Sequence, residues 1–422
     1  MLQNVINSLT SNLKSLREFV DLVDSFLKEK EDEIYKKREK DLIPLQAGAR
    51  KIRSIDPDSD VEFTDEHLKK MQEEFGGEFE IKIPESEESD LAFKIVGDHQ
   101  ERFDEALTEL RKSSERSRLL YYSALMNLTS IVEWFFSQIL HFYFDKYPSA
   151  IGNKDKVFSY EDLKGFDTIE DARNHYKQNK IEKILRESFK EWVIFFRKSS
   201  LNLSMSYIDQ YEEMLYETFL RRNLVVHNAG RVNSTYLQEV ADNYAKKVET
   251  DEKLEVTRAY LDERIDIFER NCVLIALELW KKLDQDDEER ASFLDHLNYY
   301  YLQEKRFNVS KSTSYFLMND KNMSEEYILS GKLNYWLSEK RLGNWEQIKD
   351  DVMDANFNAK DKLFQLAYHS LCEQPDDFFE LLPRALKSED ITIERAEEFP
   401  ILAEMREDDR FEEILDKFKN KN

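Results

Sequence analysis

Cysteine is almost missing from this chain. It has two, Cys272 and Cys372, far apart and without a CxxC partner. That excludes a disulfide framework and suits a reducing, cytoplasmic location. Proline and glycine are nearly as scarce, at seven and nine residues, and no proline falls between Pro148 and Pro375. Proline breaks helices and glycine weakens them, so a gap of that length predicts a mainly α-helical protein. No stretch approaches the roughly 18 uninterrupted apolar residues of a membrane span. Met1-Leu2-Gln3-Asn4 opens without the basic region and apolar run of a signal peptide, so neither a leader nor a membrane partner is expected.

Catalytic signatures are missing too. The chain has no HExxH, Gly-x4-Gly-Lys-Ser/Thr, GxGxxG or GxSxG, which removes metalloprotease, P-loop, dinucleotide and serine-hydrolase chemistry. His67, His99, His175, His296 and His369 show no metal-ligand spacing, and His141 lies in an aromatic helix and reads as packed. No metal or cofactor is expected. Positive charge is also short. Lysine and arginine total 62 against 87 acids, a net −25 that disfavours non-specific nucleic-acid binding unless basic residues concentrate locally. They do so between Arg173 and Ser200, where Arg173, Lys177, Lys180, Lys183, Arg186, Lys190, Arg197 and Lys198 face only Glu182, Glu187 and Glu191. Lys177, Lys180, Lys183 and Lys190 can share one helical face. Two readings stand for it: a solvated basic face, or a track for a phosphate backbone.

What is present is apolar and aromatic matter in helical spacing. Aromatics reach 13% of the chain, enough for sizeable cores despite 35% charged residues. Residues 3–40 read as one long helix through Leu9, Leu13, Leu16, Val20, Val23 and Leu27. Residues 44–98 are punctuated by Pro44, Pro57, Gly76-Gly77 and Pro84. Within them Phe79–Ile83 and Leu91–Val96 alternate with period two, predicting a hairpin across the acidic Glu85–Asp90. Helices are expected over 100–147, 178–198, 207–229 and 253–283, a set that fits a bundle. Ser206 with Asp209 reads as a capping start for the third, and Gly230 as its stop.

Asp284 to Glu289 is an acidic break, and beyond it the chain repeats. Leu297 to Phe307 aligns with Leu333 to Leu342 across one gap, and Met318 with Met353. A fainter third copy runs from Ala367 to Leu386. The period and the helix–turn–helix texture resemble tetratricopeptide-like repeats. The expected domains are therefore 1–98, a helix with a small α+β segment; 99–283, a helical bundle; and 284–422, a helical-repeat region able to hold a protein partner.

One stretch concentrates chemistry: Phe219-Leu220-Arg221-Arg222-Asn223-Leu224-Val225-Val226-His227-Asn228-Ala229-Gly230. The bland account is that cations near a helix C-terminus are favoured by its dipole, by about 0.3–1 kcal/mol. Arg222-Asn223 followed by three residues and His227, late in an apolar bundle, also resembles the R-polar-x3-H motif of the HEPN superfamily. The resemblance implies a metal-independent endoribonuclease acting on RNA such as tRNA or mRNA, in the manner of a toxin or anti-phage effector. The catalytic residues would be Arg222, His227 and Asn223. Glu133, an acid inside the apolar Leu119–Phe144 run, matches a similarly placed acid of the family and becomes a supporting candidate together with Arg221. Arg231 and the basic stretch are weaker candidates for RNA contact. Some HEPN toxins place a tyrosine where this chain has Ala229, so control by modification of that tyrosine is not implied. The alternative is a HEPN-like scaffold without catalysis that binds a protein partner.

The chemistry is coherent. RNA cleavage without metal uses the 2′-OH as nucleophile, a base to take its proton and an acid to protonate the leaving 5′-oxygen. Histidine titrates in the right range, and a guanidinium matches the charge gathering on the phosphate oxygens. Five positions at about 100° each leave Arg222 and His227 roughly 140° apart on a regular helix. In the family the site forms where two domains meet about a twofold, so the resemblance implies a homodimer.

Overall fold

The computed structural model describes residues 1–55, 60–83, 91–96, 99–150 and 164–419. Among them are eighteen α-helices and one two-stranded sheet, so the chain is mainly α. It forms two compact units. One joins Met1–Lys14, Leu128–Leu254 and Asp262–Asn422; the other joins Ser15–Asn127 and Glu255–Leu261. The divisions expected at 98/99 and 283/284 are thus not the edges of these units. Helix α4 (His99–Lys146) is continuous, and the acidic break after Leu283 is a tight turn. The reason is Arg290, 1% exposed, which donates to the carbonyls of Asp284 and Gln285 and pairs with Asp320 at 3.0 Å.

The smaller unit is built from parts of α1 (Leu2–Lys37) and α4 with α2 (Ile43–Arg53), α3 (Asp65–Phe75), β1 (Phe79–Lys82) and β2 (Ala92–Ile95). Thr64 and His67 cap α3 reciprocally, and Gly76 closes it at φ +79°. The expected hairpin forms, antiparallel, with Phe79 opposite Ile95 and Ile81 opposite Phe93. Its alternation buries Phe79 and Ile81 against Ile43, Ala47, Met71 and Phe75. The acidic Glu85–Asp90 lies outside the described residues.

In the larger unit α5 (Ile169–Leu185), α6 (Phe189–Lys198), α7 (Glu212–Asn228), α8 (Ser234–Glu239), α9 (Asp242–Ala245) and α10 (Arg258–Leu283) follow the last part of α4. The single helix expected over 178–198 is two. Ser188 accepts the Glu191 N–H at 3.4 Å and restarts the helix, while Trp192 Nε1 donates to the Ile184 carbonyl at 2.9 Å and ties the halves. Lys190 therefore sits on a different helix from Lys177, Lys180 and Lys183, and the four do not share one face. The start expected at Ser206 also differs. Met205 takes a left-handed φ of 48°, residues 206–211 form a 3-10 segment, and α7 begins at Glu212. Asp209 pairs with Arg197 in place of capping the helix.

An aromatic core welds four of these helices. Phe136 on α4 meets Phe189 at 5.8 Å and Trp192 at 5.1 Å on α6. Phe189 stacks on Phe219 of α7 at 5.6 Å, and Phe219 meets Phe268 of α10 at 5.8 Å. Full burial of one such side chain contributes about 1.5–3 kcal/mol, with edge contacts adding to it.

Three helical hairpins follow: α11 (Glu288–Gln303) with α12 (Phe307–Met318), α13 (Glu325–Arg341) with α14 (Trp345–Met353), and α15 (Lys362–Leu371) with α16 (Pro375–Lys387). Helices α17 (Ile393–Glu398) and α18 (Asp409–Lys419) end the chain. The hairpins share one turn. Lys305, Gly343 and Glu373 are left-handed, and the next N–H bonds the carbonyl five residues back: Arg306 to Tyr301, Asn344 to Glu339, Gln374 to His369. The sequence alignment set Glu304-Lys305-Arg306 against Glu339-Lys340-Arg341. The structure puts the first trio in the turn and the second in the last turn of α13, because α13 carries two more residues between its leucine and its turn.

Candidate active site

Glu133 and Arg222 come from helices that the aromatic core holds together. Phe136 lies one turn after Glu133 on α4, and Phe219 one turn before Arg222 on α7, so packing of the rings aligns the two charges. The Arg222 guanidinium donates through Nη2 to Glu133 Oε1 and through Nη1 to Asn223 Oδ1 at 3.1 Å. All three line a cleft of about 410 Å³ with Arg186, Glu187, Tyr216 and Glu239. Tyr216 donates to Glu239 at 2.9 Å, and burial first, then that carboxylate, pushes its phenol up to about 12. Lys190 lies 4.0 Å from the centre of the Tyr216 ring. Two arginines thus share the cleft wall with three carboxylates, and the cleft carries no surplus of positive charge.

His227 does not line this cleft. It is exposed on the last turn of α7. The helix then stops on two successive left-handed residues, Ala229 and Gly230, and the Gly230 N–H reaches back to the Leu224 carbonyl at 3.0 Å. Asn228 donates to the Arg231 carbonyl at 2.7 Å, and Arg231 donates to the Asp251 carbonyl at 2.8 Å. Arg231 is thereby fixed to the turn beyond the helix. Within one chain the cleft gathers Glu133, Arg222 and Asn223, and His227 is not among its lining residues.

Arg221 turns elsewhere. Its Nε donates to Glu217 at 2.6 Å; Glu217 is fully buried, accepts from Tyr236 at 3.1 Å and has Arg264 at 3.8 Å. This network ties α7 to α8 and α10. Of the basic stretch, Lys177 pairs with Asp145 at 2.7 Å and Arg186 is largely exposed beside Glu182. Lys180 is half-buried and Lys183 exposed. His141 packs beside Lys177. Burial and then that cation lower its pKa.

Sequence reasoning missed Tyr216, Glu187 and Glu239 as cleft residues. Glu239 arrives from the short helix α8, and no pattern within α7 could announce it. Among the described residues no group of three His, Cys, Asp or Glu is placed to hold a metal ion, and no helix is long and apolar enough to cross a membrane. No protein-family model, curated protein or solved structure matches the chain.

Proposed function

We propose that the chain is a HEPN-type endoribonuclease that cuts RNA without metal as a homodimer. The observation that carries this reading is the Glu133–Arg222–Asn223 constellation: the motif arginine is oriented by the one acid of an earlier helix that the resemblance picked out. Glu133 holds the guanidinium fork in a fixed attitude, and Asn223 fixes its other arm. A bound phosphodiester would displace part of that pairing and take the guanidinium as its oxyanion partner. His227 is exposed, and on this reading the second chain supplies it to the first chain's Arg222. In the paired molecule one imidazole takes the 2′-OH proton, and another protonates the leaving 5′-oxygen. The product would end in a cyclic phosphate.

The test is cleavage of a tRNA and mRNA panel in EDTA, with product ends mapped. Arg222→Ala and His227→Ala should each lose at least about a hundredfold in rate, the usual worth of a general acid–base or charge-stabilising group. Variants that cut like the parent would end the proposal.

A second reading has its own support. The cleft acids Glu133, Glu187 and Glu239, and the net charge of −25, oppose RNA. On that reading the chain is a non-catalytic scaffold whose helical hairpins hold a protein partner. RNA left intact by the wild-type protein in the same assay would favour it.

A further inference from the structure

A second cleft, of about 520 Å³, lies in the larger unit between α10, the 206–211 segment and the first hairpins. Pockets of a few hundred Å³ are the usual size for small-molecule ligands. Its wall holds three cations, Arg270, Lys281 and Lys311, and a run of rings from Tyr315, Phe316 and Tyr335. On a chain with net charge −25 this clustering runs against the general field.

Arg270 is the informative residue. It is 9% exposed. Its Nε donates to Ser312 at 2.6 Å, and its Nη1 donates to the Tyr207 carbonyl at 3.1 Å and to Asn271 at 3.1 Å. Its flat face covers the Tyr211 ring, 4.7 Å from the centroid. Every one of these partners is neutral. Among the described residues Arg270 has no carboxylate in ion-pair reach, and its Nη2 makes no hydrogen bond. Buried charges in proteins are ordinarily paired, because an uncompensated one costs several kcal/mol. Burial lowers the Arg270 pKa from the usual arginine value, as expected for a cation held out of water without a counter-charge.

Nearby acids are committed elsewhere. Glu278 accepts the Ser204 and Met205 N–H groups and the Tyr207 hydroxyl. Asp320 is shared between Lys281 and Arg290, each at 3.0 Å. Glu339 holds Lys311 at 2.7 Å. The vacancy in charge is therefore at Arg270.

We infer that this cleft binds a mononucleotide, its phosphate on Arg270 and Lys311, its base against the Tyr315 and Tyr335 rings. A guanidinium held by neutral partners keeps one edge for a phosphate, and aromatic faces stack on any base. Eleven positions separate Arg270 from Lys281, about 16 Å along the helix, which leaves room for sugar and base between the two ends of the cleft. The ligand would bridge the bundle and the hairpins, since Arg270 belongs to one and Lys311 and Tyr315 to the other.

The experiment is calorimetric titration of the full chain with AMP, GMP, CMP and UMP, and with adenosine and inorganic phosphate. At least one nucleotide should bind with at least tenfold higher affinity than adenosine or phosphate alone. Arg270→Gln should weaken it tenfold or more. Should that buried variant fail to fold, the exposed Tyr315→Ala, judged folded by its far-UV spectrum, must still weaken binding severalfold. The double variant Arg222→Ala, His227→Ala should bind nucleotide like the parent, which separates this cleft from the proposed RNA site. The inference is overturned if no nucleotide binds at millimolar concentration, if phosphate alone binds as well, if folded Arg270→Gln binds undiminished, or if only the double variant loses binding.

Discussion

Arg221 and Arg222 are neighbours in sequence and opposites in structure. About 100° of helical turn sends one into the buried Glu217 network and the other to the cleft. The sequence showed two arginines and could not say which was structural. The deciding information is held by Glu217, Tyr236 and Arg264, which only tertiary packing brings near. The difference is measurable. Glu217→Ala removes the fully buried carboxylate that Arg221 and Arg264 share, although Arg264 keeps Glu263 at 2.7 Å, so it should cost about 3 kcal/mol in urea unfolding. Glu133→Ala breaks a pair whose side chains are 26% and 36% exposed and should cost about 1 kcal/mol or less. Equal losses for the two variants would show that burial has been misjudged at one of them. Arg270 was missed for a related reason: it stands between Glu269 and Asn271 on a helix that also carries Arg264 and Asp266, and only tertiary packing leaves it without a carboxylate partner.

At the scale of elements, what was legible followed from local periodicity. The hairpin could be read because alternation of Phe79 and Ile81 sets which face is buried, and a slip by one residue would expose both. The break at Arg186–Ser188 was also written locally: Ser188 and Glu191 have capping spacing, which the run of basic residues obscured. The start at Ser206 failed because Arg197, a tertiary partner, recruits Asp209. Gly331 gives a test of packing against propensity. It lies inside α13, where alanine is worth about 1 kcal/mol more than glycine. A Cβ there would stand 2.9 Å from the Met318 backbone nitrogen and 3.2 Å from Leu317. Backbone cannot yield as a side-chain tip can, and overpacking costs about 1–3 kcal/mol. Gly331→Ala should therefore lower the thermal midpoint. A rise would mean that α12 and α13 pack less closely than described.

For the whole molecule, the dominant quantity is the net charge of −25. The proposed active molecule needs two such chains side by side, since Arg222 and His227 are not gathered within one. Like charges on the two chains repel over a screening length of about 10 Å at 0.1 M salt, so added salt should tighten association. RNA binding responds in the other direction, because each neutralised phosphate releases a counterion and affinity falls as salt rises. Cleavage per chain, at a protein concentration below the dimer dissociation constant, should therefore pass through a maximum with salt. At saturating protein the rising limb should vanish and only the fall remain. Sedimentation at each salt concentration supplies the dimer fraction independently, and the rate per chain should follow it on dilution. A rate that stays constant while the protein dissociates would place both catalytic groups in one chain, and the composite site would have to be given up.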